Sequence, residues 1–243
     1  MGGGCGCSDG EVRLTDYGRG ALVMNYQRLK ERHRAEREAW HPNLSLRVHR
    51  ALSWLDRAEQ LAEQDDVDGQ FIFLWIAFNA AYATDIDEKY REPEQLTFRG
   101  FLEKLTQLDQ NKKRFDTLVW TEFPKSIRVL LDNPYVFADF WKAQNGSLSE
   151  EIWKSNFGAA NRAAHVALGK QDTVTVLSIV LSRIYVLRNQ LVHGGATWGS
   201  SVNRDQLRDC THFMAKLVPL VIEVMMDHPE TLWGPGCYPV VSA

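Results

Sequence analysis

Arg188 and His193 frame the run Arg188-Asn189-Gln190-Leu191-Val192-His193-Gly194-Gly195. A guanidinium keeps its charge and holds two phosphate oxygens in a planar fork. An imidazole titrates near neutrality and moves protons. Together they have the parts for chemistry at a phosphate. The surroundings suit an anion. Thr173 to Arg204 contains no acid, whereas 31 acids in 243 residues would place about four there. The same stretch carries Arg183, Arg188 and Arg204, a local positive patch in a chain of net charge −3.

These residues need a helix to position them. Thr173 to Leu187 is rich in β-branched residues and has strand character. About twenty residues without Gly or Pro exceed the length of a typical strand, so the segment reads as a central helix from an Asp172 cap to about Val192. Thr175, Ser178, Ser182, Tyr185, Asn189 and His193 then share one face. Small residues there allow a close approach by another helix or by a second copy of this one. The simpler reading is core packing, with hydroxyls bonded back to carbonyls four residues earlier. Arg188 and His193 sit about 140° apart on an unbroken helix and would not meet. Gly194 and Gly195 let the chain leave the helix and turn the imidazole. A two-fold axis beside this face would gather two of each residue in one cleft.

The rest of the chain is also helical in pattern. Residues 1–15 read as a flexible tail, 16–228 as one all-α domain and 229–243 as an irregular tail. Within the domain, 16–66 holds charged helices of an accessory character. Asp68 reads as the cap of Gln70–Ala83, which is apolar on every side except at Asn79, so that amide is expected to be buried and bonded. Further helices are expected from Thr97 to Leu108, over Asp109–Leu131 with a break at Pro124, over Tyr135–Trp141, from a Ser149 cap to Leu168, and from Asn203 or Asp205 to Met226. The expected architecture is a bundle of seven or eight helices. No apolar run approaches the roughly 20 residues of a membrane span; the longest is Phe71–Phe78. Four cysteines make no disulfide framework, and no apolar signal segment is read in the sequence. Both favour a cytoplasmic setting. Cys5 and Cys7 lack a second pair to complete a metal site.

Two segments carry a resemblance. Arg188–Gly195 resembles the R-x4–6-H motif of the HEPN superfamily, including a polar residue directly after the Arg. Phe73–Tyr82, with Trp75, Asn79 and Tyr82, is similar to an early helix of bacterial HEPN-like proteins. The resemblance spans about Asp68 to Met226 and is weakest between Thr97 and Glu150. It implies a helical bundle that dimerises about the Arg188–His193 helix and cleaves RNA without metal or cofactor, in toxin, phage-defence or RNA-processing roles. Antitoxins or other proteins are then further partners. Some members are catalytically silent. On this reading Arg188 and His193 are catalytic, and Asn189, Arg183, Ser182 and Asn79 support them or bind phosphate. The 2′-OH of RNA is an internal nucleophile. Cleavage needs a base for its proton, an acid for the leaving 5′-oxygen and a cation for the phosphorane.

Other arrangements are weaker. Arg162 and His165 lie one turn apart but read as exposed helix residues. Glu31, His33 and Glu36 do not form HExxH, and neither a G-x-S-x-G elbow nor a phosphate-binding Walker loop occurs.

Overall fold

The structure, a computed structural model, describes residues 25–83, 94–201 and 203–238, with the backbone alone for 94–97. The tail expected over 1–15, with Cys5 and Cys7, lies outside the described residues, as do residues 239–243.

Among the described residues there is no strand. Ten α-helices follow in order: α1 (Asn25–Glu36), α2 (Pro42–Glu63), α3 (Val67–Tyr82), α4 (Glu94–Leu108), α5 (Arg114–Thr117), α6 (Pro124–Asp132), α7 (Ala138–Gln144), α8 (Glu150–Gly169), α9 (Thr173–Val192) and α10 (Arg204–Asp227). The described helices outnumber the expected seven or eight, in part because Asp109–Leu131 divides into α5, a π-helical stretch and α6. Lys113 takes a left-handed φ of 50° before α5. A five-residue π-helical stretch, Leu118–Glu122, separates α5 from α6. Pro124 then opens α6, where its missing N–H has no helical partner to lose.

Local chemistry sets the ends that matter most. Asp66, not Asp68, caps α3 by accepting from the Gly69 N–H at 2.9 Å. Asp68 lies in the first turn and pairs instead with Arg204 of α10. Ser149 caps α8, and Asp172 caps α9 through the Thr175 N–H at 3.0 Å. Both caps stand where the sequence places them.

α3 lies at the centre, against α2, α10 and α9. Its all-round apolar surface requires such a place. Phe71, Leu74, Trp75, Ala77 and Phe78 are buried there. α4, α6 and α8 flank α9, and α7 packs on α8. α1 and α2 contribute Leu29, Leu44, Leu52 and Leu55 to the same apolar core.

The segment after α10 is irregular but anchored. Arg47, 1% exposed, donates to the carbonyls of Ala81, Ala83, Gly234 and Pro235 at 2.6–3.2 Å. Two of these acceptors lie at the C-terminal end of α3, where the helix dipole favours a cation. This buried guanidinium is therefore well supplied with acceptors.

Candidate functional site

The C-terminal half of α9 forms one wall of an open groove of about 660 Å³. Ser182, Tyr185, Asn189 and His193 line it from α9, facing Trp141 of α7 and Asn145 just beyond that helix. Four of the six residues of the polar face thus share one cavity. The other two do not. Thr175 bonds to its own cap, Asp172, at 2.7 Å. Ser178 donates to the Val174 carbonyl at 2.8 Å. Ser182 likewise donates to the Ser178 carbonyl at 2.8 Å, so its proton is committed within the helix.

The helix end is a Schellman turn. The Gly195 N–H reaches the Gln190 carbonyl at 2.7 Å, and the Gly194 N–H reaches Leu191 at 3.1 Å. Gly194 has φ +70°, and a Cβ on Gly195 would lie 3.0 Å from the Gln190 oxygen. Both glycines therefore serve the turn. They also let the chain depart directly after His193, whose own N–H still caps Asn189 O at 3.0 Å. His193 is exposed, and its ring is free of protein hydrogen bonds among the described residues.

Arg188 is half-buried beside this groove. Its Nη1 donates to Asn189 Oδ1 at 2.9 Å. The guanidinium stands 5.7 Å from the Tyr185 ring centre and 6.0 Å from that of Trp75. No described carboxylate pairs with it. The Arg188–Asn189 bond occupies the amide oxygen and leaves the amide NH2 of Asn189 as the free donor. Arg188 and His193 are thus linked through Asn189, by its side chain on one hand and its carbonyl on the other. Among the described residues no hydrogen bond joins the two directly.

The other expected residues lie apart. Arg183 points away from the groove, into a second cavity behind α7. Asn79 is half-buried on α3, and its Oδ1 is buried without a partner. This corrects the expectation of a fully bonded amide. Among the described residues nothing donates to it, and the Trp75 Nε1 one turn earlier is likewise buried and unpaired.

One further group shapes the groove. The Tyr135 carbonyl accepts from Trp141 Nε1 at 2.7 Å and from Gln190 Nε2 at 2.6 Å, tying α7 to the end of α9. A backbone acceptor has no signature in sequence.

Among the described residues no cluster of His, Cys, Asp or Glu is arranged to hold a metal, and no helix is long and apolar enough to cross a membrane. His165 approaches only Asp132, at 3.8 Å, on the surface. No family model, curated protein or solved structure matches this chain.

Proposed function

We propose that the chain is a metal-independent endoribonuclease of the HEPN type, working in the cytoplasm in toxin or phage-defence roles. The observation that carries this reading is the joined group ending α9. Arg188 has no described acid to neutralise it, and it holds Asn189, which lines an open groove together with His193. His193 takes the proton of a 2′-OH as that oxygen attacks the adjacent phosphorus. Arg188 offers its fork to the phosphorane, where negative charge develops. The free amide NH2 of Asn189 donates to a non-bridging oxygen.

One Arg and one His are few for this work. A homodimer about the end of α9 supplies a second pair, so that one copy's His193 acts as base and the other's as acid. The P–O5′ bond breaks as the 2′-O–P bond forms. The acid's proton goes to the 5′-oxygen, leaving a 2′,3′-cyclic phosphate and a 5′-hydroxyl. The test is cleavage of a defined RNA by wild type and by His193→Ala and Arg188→Lys, with end-group analysis of the products.

One observation favours a second reading. Arg188 lies over Trp75 and Tyr185 and is not among the residues lining the groove. A guanidinium held there orients Asn189 without reaching a phosphate. The chain is then a catalytically silent bundle that binds RNA, a nucleotide or a partner protein. RNA binding without cleavage distinguishes it.

A further inference from the structure

Arg183 is 4% exposed, yet it makes no hydrogen bond or ion pair with any described residue. Its Nε is buried without a partner. The guanidinium sits over the rings of Phe137 at 4.4 Å and Phe157 at 5.6 Å. Aromatic faces offset part of the cost of burying a cation. They provide no acceptors for its five N–H groups. The contrast with Arg47 is direct, since that buried guanidinium has four carbonyl acceptors. Burial lowers the Arg183 pKa to about 10, so the group keeps its charge at neutral pH.

Arg183 is among the residues lining a cavity of about 340 Å³ bounded by α7, α8 and α9. Ala160, Ile179 and Val186 give the cavity apolar walls. Its other charged lining groups cancel. Lys142 donates to Asp139 at 2.8 Å, and Asp139 also accepts from Asn156 at 2.8 Å. Those two bonds hold the Asp139 carboxyl below its usual range against the effect of its burial. Ser182 turns its proton to the Ser178 carbonyl. The cavity therefore presents one uncompensated positive group within apolar walls. A cavity of this size suits a small ligand.

We propose that the cavity beside Arg183 binds a small organic anion with a flat apolar body and one oxyanion head, a carboxylate or a phosphate monoester. The head takes the forked donors of Arg183, and the body lies between Ala160, Ile179 and Val186. The site adjoins the His193 groove across Ala138, Ser182 and Val186, which line both cavities. It stands whether or not the chain cleaves RNA.

The test is binding to the full-length protein by calorimetry and thermal shift, with benzoate, phenyl phosphate, inorganic phosphate and neutral benzyl alcohol as probes. Benzoate or phenyl phosphate should raise the melting temperature and bind at least tenfold more tightly than benzyl alcohol. Preference for benzoate identifies a carboxylate ligand, and preference for phenyl phosphate a phosphate ester. Arg183→Met should abolish the shift. Ala160→Phe fills the chamber from its wall while keeping Arg183, and it should abolish the shift even if Arg183→Met folds poorly. Absence of binding by both aryl anions, or binding that persists in a folded Arg183→Met or Ala160→Phe variant, overturns the proposal. So does equal binding of benzyl alcohol.

Discussion

At the residue scale, the end of α9 separates what a side chain does for the fold from what it is free to do for a ligand. His193 is exposed and bonds the helix only through its backbone. His193→Ala should therefore abolish RNA cleavage while moving stability by no more than about 1 kcal/mol. Denaturant unfolding beside the cleavage assay checks both halves. Arg188→Lys should lose most activity, because an ammonium lacks the fork and cannot hold Asn189 while also gripping a phosphate. Asn79 behaves differently. Its amide oxygen is already unpaired, so Asn79→Leu removes an unmet acceptor and breaks no bond. Stability should stay level or rise by about 1 kcal/mol. A loss of that size in urea unfolding would show that the amide has a partner after all.

At the element scale, the helices are fixed by caps and apolar period, and these are legible in sequence. Asp172, Ser149 and the glycines after His193 end or begin helices where their chemistry demands. The polar face of α9 was legible as a face, but its division was not. Ser182 to His193 line a groove while Thr175 and Ser178 bond locally, and that split depends on where α7 packs. Arg183 looks in sequence like one more member of a positive patch. Its burial against Phe137 and Phe157 comes from contacts between distant segments, which no local pattern records.

Junctions between elements also carry titrating groups. Asp227, at the end of α10, receives Arg32 of α1 at 2.7 Å, Lys112 at 2.8 Å and Arg114 at 3.0 Å. Burial acts to raise its pKa, but bonds from Lys112 and Arg32 and the charge of Arg114 hold it down at about 2. A carboxylate depressed by folding stabilises fully above its unfolded value near 3.8. That contribution, about 2 kcal/mol, fades as pH falls from about 4 to about 2. Asp227→Asn should lose it at pH 7 and converge on wild type near pH 2. His33 lies buried between α1 and α2, against Trp40 and His49. Burial, with the charges of Lys30, His49 and Arg37, lowers its pKa from 6.5, despite its bond to the Ser45 carbonyl. A depressed histidine stabilises the fold above about pH 6.5 and loses that contribution as pH falls. Melting temperature should thus drop below pH 6.5 more steeply in wild type than in His33→Gln.

At the scale of the whole molecule, the chain combines a filled apolar core with an acid-free helix end left open beside a groove. A homodimer about that end would double the Arg and His. Mixing Arg188→Ala with His193→Ala subunits should then restore part of the activity, because one intact copy of each residue shares a cleft. Mixed-subunit cleavage assays after co-refolding check this, and activity no higher than in either variant alone would argue against a composite site. Incubation of the purified protein with mixed RNA in EDTA, with His193→Ala prepared in parallel, tests metal-free catalysis by this helix end. Metal-free cleavage leaving 2′,3′-cyclic phosphate ends is expected in wild type and none in the variant. Intact RNA with wild type, or equal cleavage by His193→Ala, would contradict it.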